Sequence, residues 1–285
     1  LILTLAGFAT RIIGFYNRIF LADLIGAKEL GIYQLIFPLY MVAFSLTTFG
    51  NELALTKLVS EYKSRGDTAS ACAFFKTCFF FNLFLGLLVS TIMYQNADWL
   101  CIRILNAPEC TSCLKVICFG IPFMSMKGAI HGYFLGLEKS SVHGMSDFLE
   151  QLAKVFGLYL LASYICIRNQ YDASFAVIGI VIGEIIAFLY SITALFIHFA
   201  CHPETSLCTG KNTKTKAIHK RQILHLFLKD SVPLTTNRLA LTVLQSIEAI
   251  MIPTVLLSFY GNSTLSLETY GIFSGMAFPF IMFPS

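Results

Sequence analysis

The chain has 285 residues, 56% of them apolar and only 13% charged, with a formal net charge of +4. Water-soluble chains carry roughly 45–50% apolar and 25% charged residues, so this composition excludes a soluble globular domain, whose surface these few charges would not cover. The basic residues lie between apolar stretches, a pattern of membrane topology and not of a nucleic-acid surface.

A membrane-crossing helix needs about 20 mainly apolar residues. In chain order, residues 1–25, 31–55, 70–94, 113–136, 142–165, 173–199 and 223–257 meet that requirement, and an eighth stretch opens near Tyr270. Irregular backbone in lipid leaves polar groups unpaired, so helix is expected throughout. Three glycine series recur at four-residue spacing: Gly128, Gly132 and Gly136; Gly179 and Gly183; Gly271 and Gly275. Each series occupies one helix face and allows close packing. Pro122 beside the first series predicts a bent fourth helix. Leu1 in place of Met and the apolar run ending at Ser285 read as a fragment with both ends cut. Nine cysteines form no disulfide framework; the Cys110–Cys113 spacing lacks a second ligand pair, so no metal or cofactor site is expected.

Lys and Arg in the links set the orientation. The even-numbered links hold Lys57, Lys63, Arg65, Lys139, Lys211, Lys214, Lys216, Lys220 and Arg221, against Lys28, Arg103 and Arg168 in the odd ones. This predicts a cytoplasmic N-terminus and a cytoplasmic connector over 201–221. The run from Gly31 to Tyr40, with Gly-Ile-Tyr and Phe-Pro-Leu-Tyr, is echoed 240 residues later by Gly271-Ile272-Phe273 and Phe278-Pro279-Phe280-Ile281. Six helices separate the copies, so they point the same way and imply parallel six-helix lobes. The expected organisation is an all-α polytopic membrane protein. A six-helix N-terminal lobe occupies 1–200, a basic inter-lobe connector 201–221, and the first one to two helices of a second lobe 222–285.

The run GFATRIIGFYNRIFLADLIGAKELGIYQLIFPLYM, then Leu58-Val59-Ser60-Glu61 and the terminal YGIFSGMAFPFIMFPS, carry a family resemblance. They resemble the polysaccharide and lipid-linked-oligosaccharide exporters of the multidrug/oligosaccharidyl-lipid/polysaccharide flippase superfamily, in particular the stage V sporulation protein B group. The resemblance implies a MATE-like fold of twelve or more helices, in two lobes around a cavity that opens alternately to each side. The implied cargo is a polyprenyl-pyrophosphate-linked sugar precursor, in cell-wall, capsule or spore-envelope synthesis. It also implies a cavity role for Arg11, in TRIIGF; Asn17 takes the position of a second family arginine, with Arg18 beside it. Multidrug members tend to carry a carboxylate in helix one, and between Leu1 and Ala22 this chain has none.

Charges inside apolar stretches are the candidate site. Arg11 and Arg18, seven residues apart, share a helix face and would present guanidinium forks to a pyrophosphate; snorkelling or a structural ion pair is the alternative. Arg238, in the helix equivalent to the first, is a third candidate cation, near Asn237, Gln245 and Glu248. Glu184 and Glu248 read as coupling groups or ion-pair partners, and Glu184 has no basic residue within four positions. Glu150 and Lys154 form a local i,i+4 pair. Lys127 and His131 are likewise four apart, in a helix read first as bent and closely packed, with a basic cavity wall as the alternative, and Glu52 lies near the cytoplasmic end of helix two. His131, His143, His198, His202, His219 and His225 form no recognisable nucleophile–base or metal motif. The expected function is a flippase of a lipid-linked glycan precursor in the cytoplasmic membrane, acting as a monomer, with membrane lipids as its other partners and no nucleic acid, catalysis or cofactor. A cation-coupled multidrug exporter and a membrane-embedded glycosyl- or acyltransferase stay open as alternatives.

Overall fold

The computed structural model describes residues 2–165, 172–201, 220–278 and 281, and all regular structure among them is helical. The first helical run, Ile2–Phe44, breaks at Gly26 (φ 78°, ψ 172°), a conformation that is essentially restricted to glycine. The helices on either side are α1 (residues 2–25) and α2 (residues 27–64), so the expected division between the first two stretches falls on a residue able to redirect the chain. Within α2, Ser45–Phe49 forms a π-helical turn before the α-segment Gly50–Ser64. Asp67 caps α3 (Thr68–Gln95), its carboxylate accepting the Ser70 N–H at 3.0 Å. The short α4 (Ala97–Arg103) and the 3₁₀ turn Pro108–Cys110 lead into α5 (Thr111–Cys118) and α6 (Ile121–Gly136).

The segments Pro108–Cys118 and Ile121–Gly136 meet at 46°, the bend expected beside Pro122. Pro122 sits in the first turn of α6, where a missing N–H breaks no helical bond. Next come α7 (Ser140–Ile165), α8 (Ala173–Cys201), α9 (Lys220–Tyr260) and α10 (Ser263–Tyr270), the last continuing as the π-helical Gly271–Ala277. Residues 202–219 of the basic connector lie outside the described residues. Among the described residues, four helical stretches are long and apolar enough to cross a membrane: Thr10–Ser64, Thr68–Gln95, Ala173–Cys201 and Ile223–Tyr260; the bent α5–α6 pair makes a fifth if taken as one span.

The glycine series act as expected of close packing. A Cβ added at Gly132 would lie 2.7 Å from the Glu52 carbonyl oxygen, so the backbones of α6 and α2 nearly touch. On α8, a Cβ at Gly179 or Gly183 would lie 2.7 Å from Leu158 or Lys154 of α7. Asn82 of α3 ties these layers together: it accepts from Asn51 Nδ2 at 2.7 Å and donates to the Ser125 carbonyl at 3.0 Å. α9 rests on α2 through a hydroxyl stripe, with Ser45 and Thr242 oxygens 2.7 Å apart, Ser246 donating to the Pro38 carbonyl at 3.1 Å, and Ser231 bonded to Asn51.

The two copies of the internal repeat touch. A Cβ at Gly31 would meet the Leu267 carbonyl oxygen at 2.1 Å, and one at Gly271 would meet the Ala27 carbonyl oxygen at 2.2 Å. Ala27 and Leu267 each precede their repeat glycine by four residues, so residue i of one copy meets j of the other and the reverse. Such a reciprocal contact is the signature of a local two-fold axis.

Candidate functional site

α1, α2, α6, α7 and α8 line an open cavity of about 890 Å³. Its lining is rich in charged and titratable groups: Arg11 and Arg18 from α1, Glu52 from α2, Lys127 and His131 from α6, His143, Asp147, Glu150 and Lys154 from α7, and Glu184 from α8. The glycine contacts explain this convergence. Close approach of α6 to α2 brings His131 and Lys127 beside Glu52, and close approach of α8 to α7 brings Glu184 beside Glu150.

At the centre, Lys127 donates to Glu150 Oε2 at 2.5 Å and to Glu184 Oε2 at 2.7 Å. Lys154 donates to Glu150 Oε1 at 2.5 Å, and the Tyr40 hydroxyl to Glu184 Oε1 at 2.7 Å. The Lys127 and Glu184 side chains are only 10% and 5% exposed. Two ammonium groups and two carboxylates leave this network neutral, which is the condition for holding such charges away from water.

The sequence candidates are distributed unevenly over this arrangement. Arg11 and Arg18 line the cavity, and among the described residues neither guanidinium has a carboxylate within 4.0 Å. Asn17, between them, also lines it, and its Oδ1 is buried without a hydrogen-bond partner among those residues. Glu184 is ion-paired to Lys127, a residue of another helix. The Glu150–Lys154 contact is present, with Lys127 as a third member. Arg238 is not in the lining; its guanidinium lies 4.6 Å over the Phe49 ring, with Nε buried and without a hydrogen-bond partner among the described residues. Glu248 is exposed on α9, in a shallow apolar groove with Leu244 and Met251.

Sequence reasoning missed two things. Lys127 is the hub of the network, for which the available signal was a lysine isolated in an apolar run. His131 and His143, on separate helices, come together with Glu52, each offering a ligand atom within 4.8 Å of the others; no linear motif marks such a cluster. Cys110 and Cys113 are buried and belong to no such group among the described residues.

The family model described as polysaccharide biosynthesis protein matches residues 1–284. The chain belongs to that family. It is 26% identical, over its full length, to stage V sporulation protein B of Bacillus subtilis (strain 168), of which it covers 54%. Over 66% of its length it is 21% identical to lipid II flippase MurJ of the same organism, of which it covers 38%. The chain therefore spans about half the length of the curated relatives it matches. Among solved structures, a MOP superfamily transporter from Pyrococcus furiosus matches with a TM-score of 0.68 at 13% identity, over 95% of this chain and 61% of that one. An outward-facing multidrug resistance MATE family transporter matches with a TM-score of 0.66 at 14% identity, over 95% and 61%. This family member is thus an all-helical, multi-pass membrane protein of MATE-like fold, and the relatives whose names state an activity are transporters and a flippase.

Proposed function

We propose that this chain supplies the first lobe and the opening of the second lobe of a flippase for a lipid-linked, diphosphate-bearing glycan precursor. The observation that carries the reading is the charge distribution in the cavity. Its central lysines are neutralised by Glu150 and Glu184, whereas Arg11 and Arg18 line it with no carboxylate partner among the described residues. Unpaired guanidinium groups are suited to a diphosphate, which accepts their donor forks in pairs. The buried, unpartnered Asn17 adds a polar group beside them.

Helix lengths support six crossings in the first lobe. The 55 residues of Thr10–Ser64 would extend about 80 Å if straight, against a hydrocarbon layer of about 30 Å. Two crossings divided at Gly26 fit, and α3, α5–α6, α7 and α8 bring the number to six. Positive-inside counting places the N-terminus and the connector in the cytoplasm. The reciprocal Gly31–Gly271 contact supports a second, parallel lobe meeting the first about a two-fold axis, and rocking of one lobe on the other would exchange access. Arg238, held over Phe49, is reached in this reading only when α9 has moved off α2. Related to lipid II flippase MurJ in sequence, the chain is placed by this reading in cell-envelope synthesis, with stage V sporulation protein B pointing to the spore envelope.

Transport of defined lipid-linked precursors in vesicles containing the intact protein tests the reading. Arg11→Ala should lower transport about tenfold or more, the cost of one charged hydrogen bond, with insertion and abundance unchanged; Arg11→Lys should recover part of it. Undiminished transport by Arg11→Ala and Arg18→Ala at normal abundance would remove the diphosphate assignment.

A further inference from the structure

We propose that Glu52, His131 and His143 form a binding site for a divalent transition-metal ion such as Zn²⁺, joining α2, α6 and α7 in the cavity wall. One ligand atom from each residue lies within 4.8 Å of the other two. The two imidazole rings are in contact, tilted at 47° to one another with centroids 4.4 Å apart. Ligands on a tetrahedral zinc ion, at bonds of about 2.0–2.2 Å, stand roughly 3.3–3.6 Å from one another. Small side-chain rotations therefore close the site without moving a helix.

Three features argue for an ion and against a packed pair of rings. First, His143 Nδ1 is shielded from solvent and makes no hydrogen bond among the described residues, the nearest carboxylate oxygen, Asp147 Oδ2, standing 3.6 Å away, a costly state for a nitrogen that a metal would relieve. Second, the charges nearby are left over. Lys127 and Lys154 are taken up by Glu150 and Glu184, while Glu52 and Asp147 have no Lys or Arg nitrogen within 4.0 Å among the described residues. Two carboxylates with two neutral imidazoles balance a divalent cation. Third, the surrounding shell is of the kind that orients metal-bound imidazole. The Ser191 hydroxyl lies 3.3 Å from His131 Nε2, which leaves the other nitrogen of that ring to the ion. Imidazole nitrogen with carboxylate oxygen favours zinc and its borderline neighbours over magnesium or calcium, which take all-oxygen sets. An ion here would pin α2 to the start of α7, whatever the protein transports, so the proposal stands apart from the flippase reading.

The test is binding, with no transport measurement. The intact protein in detergent is titrated with Zn²⁺ against a chromophoric chelator and with Co²⁺ by absorption. One equivalent per chain is expected, with a tetrahedral Co²⁺ spectrum free of thiolate charge-transfer bands. Glu52→Gln, nearly isosteric, and His143→Ala should each weaken binding at least tenfold, and His225→Ala, on the exposed face of α9, should not. Melting in metal-free buffer checks that the variants fold; if His143→Ala does not, Glu52→Gln and the Co²⁺ spectrum decide. Failure of the wild-type protein to bind one equivalent, thiolate bands in the spectrum, or unchanged affinity in Glu52→Gln would overturn the site.

Discussion

Lys127 shows how one residue can carry the electrostatics of a whole site. Its ammonium group is the only contact through which Glu184 meets a cation among the described residues, and it shares Glu150 with Lys154. Lys127→Met would keep the side chain's length and leave Glu184 with only the Tyr40 hydroxyl. Removing one partner of a buried pair costs about 3–5 kcal/mol because the other charge stays desolvated. A melting temperature well below wild type is expected in detergent, partly restored in Lys127→Met/Glu184→Gln, which has no orphaned carboxylate on α8. An equally stable single variant would show that water reaches Glu184 freely. The network was partly legible in the sequence. Glu184 had to reach a partner, and Glu150–Lys154 had the right spacing. That Lys127 is the partner depends on α6 and α8 lying side by side, which spacing along one helix does not reveal.

At the scale of elements, glycine decides where helices stop and where they touch. Gly26 sits at φ 78° and ψ 172°, and a Cβ there would have no atom within 4 Å. Gly26→Ala therefore introduces no clash, and its cost is backbone strain alone, about 1–3 kcal/mol. Thermal or detergent unfolding should show that loss, and unchanged stability would mean that the α1–α2 bend relaxes to an ordinary conformation. Gly132 is the opposite case, helical in its backbone but pressed against the Glu52 carbonyl. The four-residue spacing made that face visible in the sequence, because helical periodicity places i and i+4 together. The bend between α5 and α6 was equally legible from Pro122. The Gly26 break was legible only as a boundary between apolar stretches, since many glycines in membrane helices stay helical.

For the molecule as a whole, the seam between α2 and α9 matters most to the proposed transport cycle. The Ser45 and Thr242 hydroxyl oxygens are 2.7 Å apart, so Ser45→Cys/Thr242→Cys would place two sulfur atoms within bonding reach. If rocking parts α9 from α2, oxidation of this pair should stop transport in vesicles and reduction should restore it, with each single variant and oxidant as the control for native thiols. Full transport by the cross-linked protein would move the hinge elsewhere.

The sequence alone determined that the chain is helical and lies in a membrane. Composition and apolar segment length admit few other solutions, because lipid satisfies no backbone hydrogen bond. The family could also be read from linear runs such as TRIIGF and YGIFSGMAFPF, which matching over residues 1–284 bears out. The internal repeat was visible as an echo of Gly31 in Gly271. Only the tertiary structure decided that those two glycines touch, that Arg11 and Arg18 share a cavity with Lys127 and Glu184 while Arg238 lies over Phe49, and that His131 meets His143 beside Glu52. The reason is that helical periodicity specifies which residues share a face, whereas which faces meet depends on side-chain packing between helices distant in sequence.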